Sequence, residues 1–217
     1  MRMSNQKIRR QFANYALLSD SKELLASFCG CDIVALKVGL MGRHAKAVAD
    51  GLVPEVPVSL ERHGNGGFLQ LSDRRSFSFY FDEFPSSIAI RQLDVPLDAP
   101  DFFERLYTQD TYVPPALKMH LMADMPGSES LIGKKIATIS IYKHPDNHHG
   151  DKLRCVQLHE VAIGLKLADG VEYLLTGGFG KSRPDDMLFV TPSAVLASIE
   201  EEAPDRVWST QEVVAGS

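Results

Sequence analysis

The sequence predicts an α+β fold: antiparallel sheets built from β-hairpins, an N-terminal helical segment, and short helices packed against the sheets. Three observations predict it. Asp169-Gly170 lies between the apolar runs Leu153–Leu167 and Val171–Leu175, the pattern of a tight hairpin with positive φ at its centre. Phe77, Phe79 and Phe81 alternate with Ser76, Ser78 and Tyr80, the period of a strand with one buried face. Ile8, Phe12 and Tyr15-Ala16 recur at helical spacing. The 217 residues are long enough to bury a core without disulfides or metal. They read as one domain, 1–217. The alternative is a subdivision into 1–110 and 111–217, each with an antiparallel sheet.

The elements follow in order. Asn5 to Phe28 reads as helix, interrupted at Ser19-Asp20-Ser21, which would cap a second short helix through Leu24, Leu25 and Phe28, with Gly30 ending it. Asp32 to Leu40 is a strand by its Ile, Val and Leu content. His44 to Leu52 suits a short helix closed by Gly51. Val58 to Glu61 and Phe68 to Leu71 read as strands around a glycine-rich connection. A turn at Asp73-Arg74-Arg75 leads to the phenylalanine strand, whose aromatic stripe is expected to be core. Ile88 to Leu93 is a further strand. Asp101 is placed to cap a helix from Phe102 to Tyr107.

In the second half, Ala137 to Tyr142 alternates as a strand, and Lys143 to Lys152 is a polar loop. The strands around Asp169-Gly170 follow, then a last strand at Met187 to Val190. Thr191-Pro192 suits a helix start. The tail Arg206 to Val214, with Trp208, is expected to add an edge strand or lie over the sheet. The pattern Leu69-Gln70-Leu71-Ser72-Asp73, then Phe77, recurs as Leu165-Lys166-Leu167-Ala168-Asp169, then Tyr173. Chance explains so short a match; duplication of a β-meander half is the alternative.

Charge and composition narrow the function. A formal charge of −5 argues against a general nucleic-acid binder. No apolar run reaches the ~18 residues of a membrane helix. The basic N-terminus lacks an apolar run of the secretory type. Three cysteines (Cys29, Cys31, Cys155) make no disulfide framework and favour a reducing compartment, so a cytoplasmic protein is expected.

Candidate chemistry is sparse. His144, His148 and His149, with His159 on the next strand, offer imidazoles of the kind zinc prefers, but their spacing fits no zinc signature; a solvated loop is the simpler reading. Thr176-Gly177-Gly178-Phe179-Gly180-Lys181-Ser182 resembles a phosphate loop, yet Leu175 stands where a Walker motif needs glycine, and Arg183-Pro184 does not open a helix. Cys29-Gly30-Cys31 is not the redox Cys-x-x-Cys. No cofactor is expected. The reading reached is a non-enzymatic protein-binding module, an acidic inhibitor or immunity-type neutraliser of a basic toxin or nuclease. Its contact surface would be Asp82, Glu83, Asp185, Asp186, Glu200, Glu201 and Glu202. The alternatives are a metal-dependent hydrolase built on the four histidines, and a structural subunit marked by Phe77, Phe79 and Phe81 if that stripe is exposed.

Overall fold

The computed structural model describes residues 15–41, 66–82, 87–109, 119–145, 158–177, 188–194, 196 and 210–214. Among them the chain forms two antiparallel sheets. The strands are β1 (Ala16–Leu17), β2 (Ile33–Met41), β3 (Gly66–Leu71), β4 (Ser76–Asp82), β5 (Ser87–Leu93), β6 (Met119–Asp124), β7 (Ile136–Pro145), β8 (Leu158–Leu167), β9 (Glu172–Gly177), β10 (Leu188–Pro192) and β11 (Thr210–Val214). The first sheet runs β1-β5-β4-β3-β2-β6 and the second β10-β9-β8-β7-β11. Two helices are short: α1 (Lys22–Ala26) and α2 (Phe102–Gln109). The antiparallel α+β class is therefore present, with little helix.

The sheets face each other across one core. Leu36, Leu69, Leu71, Phe77, Phe79 and Ile90 come from the first sheet; Ile139, Ile141, Ile163, Leu165, Leu175 and Val190 come from the second. Leu25 and Phe28, from α1 and the turn after it, join them, with the Phe28 ring 4.3 Å from that of Phe77. Each such side chain contributes about 1.5–3 kcal/mol by leaving water. The outer face of the first sheet carries a second cluster, in which Phe68 and Leu93 meet Val95, Leu97, Phe102 and Leu106. Phe102 and Leu106 stand one helical turn apart on α2, and Phe102 meets Phe68 edge-on at 5.3 Å.

Four expectations need correction. The spacing of Tyr15-Ala16 predicts helix, but Ala16–Leu17 pairs with Ile90 and Ala89, because the edge of β5 offers the backbone its hydrogen bonds. The phenylalanine strand is buried on both faces: Phe77 and Phe79 point into the core, and Ser76 and Ser78 are also buried. Alternation of polarity reports which face is oily, not which is wet. The loop predicted from Lys143 starts later, since Lys143, His144 and Pro145 extend β7. Thr191 and Pro192 likewise end β10, so the helical residue Leu196 follows a turn at 193–194 rather than a helix start at Thr191. Pro192 fits there because a strand's end does not need its missing N–H. The tail strand expected after Arg206 is β11, an edge strand beside β7.

The two central turns share one set of bonds. In the turn from β3 to β4, Leu71 N donates to Arg75 O (3.0 Å), Arg74 N to Leu71 O (2.9 Å) and Arg75 N to Asp73 Oδ1 (3.1 Å). In the turn from β8 to β9, Leu167 N donates to Val171 O (2.8 Å), Gly170 N to Leu167 O (2.9 Å) and Val171 N to Asp169 Oδ1 (3.1 Å). Positive φ falls on Arg74 (70°) and Gly170 (87°) alone in each. The turn is thus not the type I′ that Asp169-Gly170 predicts. Each aspartate instead accepts a bond from the backbone two residues on and leaves one residue in the left-handed region.

Where the sheets meet, the bonds are reciprocal. Ile33 N donates to Lys134 O (2.9 Å), and Ile136 N to Cys31 O (3.0 Å). Gly133 N donates to Ile33 O and Gly30 N to Ile136 O, both at 2.8 Å. Ser72 N donates to Asp32 O and Ala168 N to Lys135 O, both at 2.9 Å. Asp32 and Lys135 themselves form an antiparallel bridge at the centre.

Gly127 shows how tightly the passage between sheets is built. It lies at φ +79°, and a Cβ there would collide with the Val190 carbonyl, whose own N–H donates to Pro126 O at 2.9 Å. Gly170 also has positive φ but opens onto space. Gly170→Ala is expected to cost about 1 kcal/mol, the left-handed penalty alone. Gly127→Ala should cost more, about 2–4 kcal/mol, because the seam must also move. Chemical denaturation of the two variants checks the order; equal losses would contradict this account of the seam.

Candidate functional site

Three polar constellations stand out among the described side chains. The first crosses from the N-terminal segment to the second sheet. Glu160, on β8, is buried, and its carboxylate accepts the Ser19 backbone N–H through both oxygens (3.1 and 3.3 Å) at the start of the helical turn before α1. Its own N–H donates to Ser87 Oγ at 3.0 Å. Lys143, its cross-strand neighbour, lies 3.8 Å away and binds Glu212 on β11 at 3.0 Å; Lys22 of α1 also pairs with Glu212. The two lysines hold the Glu212 carboxyl below its ordinary range, Lys22 first. This chain of charges docks the N-terminal segment onto the second sheet. Its carboxylates are already used by backbone and lysine donors, which is a structural arrangement rather than an acid–base one.

The second constellation lies at the start of β2. Arg75 donates through Nε to Asp73 Oδ2 (2.6 Å) and through Nη2 to Ser27 O (2.7 Å). The Cys31 thiol donates to Asp73 Oδ2 at 3.5 Å and receives a longer contact from Arg75 at 3.7 Å. The Arg75 guanidinium holds the Asp73 carboxyl below its usual value. Burial raises both thiols, Cys29 and Cys31, and the Asp73 carboxylate adds to this at Cys31. A raised thiol pKa means little thiolate at neutral pH, so neither cysteine is prepared as a nucleophile.

The third lies on the outer face of the second sheet. Tyr142 OH donates to Glu172 Oε2 at 3.0 Å, and burial, with that carboxylate, raises the phenol's pKa. Gly164 leaves the space for this pair, since a Cβ there would meet Glu172, Tyr142 and Ser140. The phenol keeps its proton at any physiological pH and serves as a fixed donor.

The residues singled out by sequence fall as follows. His144 and His159 occupy facing register positions on β7 and β8. His148 and His149 lie outside the described residues, as do Glu83, Asp185, Asp186, Glu200, Glu201 and Glu202; Asp82 is the last residue of β4. Among the described residues no three His, Cys, Asp or Glu side chains converge as metal ligands. Of the phosphate-like loop, Thr176 and Gly177 belong to β9, and Gly178 to Ser182 lie outside the described residues. Thr176 Oγ1 is spent on Val161 O at 2.9 Å. Cys155 lies outside the described residues. Phe77 and Phe79 are core, so these two do not mark an exposed assembly surface.

Sequence reading finds a turn-rich connector at Pro96 to Pro100 between β5 and α2 but not the acidic surface around it. Asp94, Asp98 and Asp101 on this connector and Glu104 on the first turn of α2 are all exposed, while Val95, Leu97 and Phe102 between them are buried. The signal was legible as acids interleaved with apolar residues and prolines. The chain matches no protein-family model, no curated protein and no solved structure. No described helix is long and apolar enough to cross a membrane.

The acid response of the second constellation follows from the lowered Asp73 carboxyl. A group with a depressed folded-state pKa adds stability above its unfolded value, near 4, and loses it as pH falls through the folded value. Asp73→Asn is therefore expected to lose less stability than the parent between about pH 5 and pH 2. Thermal midpoints across that range check it; parallel curves would contradict the Asp73–Arg75 linkage.

Proposed function

We propose that the chain is a non-enzymatic protein-binding module that meets a basic protein partner, in the manner of an inhibitor or immunity-type neutraliser. The observation that carries this reading is the acidic connector at 94–104. Its carboxylates project from a backbone held by buried anchors and by Ala99 N to Pro96 O (3.2 Å), Phe102 N to Ala99 O (3.0 Å) and Arg105 N to Asp101 O (3.0 Å). An acidic surface already fixed in place costs little ordering on binding and steers a basic partner electrostatically. The formal charge of −5 works in the same direction. The acidic residues Asp82, Glu83, Asp185, Asp186 and Glu200 to Glu202 are proposed as a second contributing set.

Affinity capture of a partner, followed by binding kinetics, tests this. Neutralising Asp94, Asp98, Asp101 and Glu104 together is expected to slow association about tenfold at low salt, with a shallower salt dependence. Unchanged kinetics would remove the connector from the interface. Neutralising the second set then decides whether those residues carry the contact.

A metal-dependent hydrolase is the second reading, and one observation favours it: the register that sets His144 opposite His159. Facing residues of an antiparallel pair are close enough to share a ligand. The binding-module reading expects purified protein without stoichiometric transition metal. About one zinc per chain by elemental analysis, lost in His148→Ala/His149→Ala, would instead establish the metal reading.

We further infer that the two sheets are copies of one β-meander unit. What supports this is the shared strand plan: β5-β4-β3-β2-β6 in one sheet and β10-β9-β8-β7-β11 in the other. The pairing Ile33↔Leu71, with its irregularity after Ile33, repeats as Ile136↔Leu167 with an irregularity after Ile136. Residues 30 to 33 and 133 to 136 exchange the same bonds in both directions. Such reciprocity is the mark of an isologous contact, here within one chain.

A further inference from the structure

Four turns meet at one end of the molecule, and direct bonds tie them together. Ile33 is bonded to Lys134 and Gly133, Ser72 to Asp32, Ala168 to Lys135, and Lys134 Nζ to Asp169 Oδ2 at 3.2 Å. Among the described residues there are four exposed large apolar side chains, and three belong to this end: Val34 at 49%, Ile132 at 42% and Val171 at 45% exposure. Packing does not require them there. The fourth, Val213, is on β11.

The same bonded turns carry charges of both signs. Arg74, Arg75, Lys134 and Lys135 supply four cations; Asp32, Asp73 and Asp169 supply three carboxylates. Asp73 with Arg75 and Asp169 with Lys134 are already paired. The end is thus close to neutral on a chain of formal charge −5. Two copies of such a chain repel each other over most orientations. Where the local charge is balanced and apolar groups are exposed, that repulsion is least and the gain from burial is available. Under a two-fold axis the charges outside those pairs, Arg74 and Lys135 of one copy, can face Asp32 of the other.

We propose that this end is an isologous contact surface for a second copy of the chain. It is built by different elements from the acidic connector, so a dimer leaves the connector in place for a basic partner. The turns present a small area, and small interfaces belong to weak, reversible complexes.

Sedimentation velocity on the full chain, from about 1 to about 200 μM, tests the proposal. A reversible dimer is expected, with Ile132→Asp and Val171→Asp each weakening it at least tenfold and Val213→Asp leaving it intact. A monomer across the whole range would overturn the proposal. So would a dimer that tolerates both aspartates at this end. Should either variant lower the thermal midpoint, Lys135→Glu tests the same contact through charge, and an unaltered dimer there would equally overturn it.

Discussion

The structure depends on a short set of reciprocal backbone bonds around the Asp32–Lys135 bridge. Each sheet turns an oily face to the other, and a face of that size is stable only when covered. The bonds of Ile33 with Lys134 and Gly133, mirrored by those of Ile136 with Cys31 and Gly30, fix how the two faces meet. Gly30 and Gly133, both at positive φ, let the chain turn into these bonds from opposite sides. The core follows from that placement. Ile33 and Ile136, which carry the bonds, are themselves fully buried in the shared cluster. Hydrogen bonding and burial therefore act at the same residues, and neither sheet has an independent reason to adopt its orientation.

Charge is distributed in keeping with that frame. Inside or near the seams, carboxylates are committed: Glu160 to the Ser19 amide, Asp73 to Arg75, Asp169 to Lys134 and the Val171 amide. On the connector before α2, the carboxylates have no such structural duty in the bonds that hold the backbone.

Much of the fold was legible in the sequence, and the exceptions have physical causes. β2, β4, β5, β7 and β8 were visible through β-branched content or alternation, and the position of the turn at Asp169-Gly170 through its dipeptide. Its type was not, because Asp169 binds its own chain two residues on and leaves only Gly170 with positive φ. Arg74 fills the matching place in the other turn, where no glycine announces it. β1 is hidden because Tyr15-Ala16 continues a helical spacing, while the decisive partner, Ile90, is distant in sequence. The seam bonds are made by backbone groups and leave no residue signature. The histidines at 144 and 159 looked scattered until register brought them opposite each other.

The order of the strands along the chain has a consequence for synthesis. β2 to β5 emerge from the ribosome first, and they carry Leu36, Leu69, Phe77, Phe79 and Ile90 on one face. The face that covers them belongs to β7 through β10, made later. At about 5–20 residues per second, the first sheet waits several seconds with its oily side uncovered. Nascent chains stalled between α2 and β7 would be the form of this protein most in need of a chaperone, and the form most prone to stick to its neighbours.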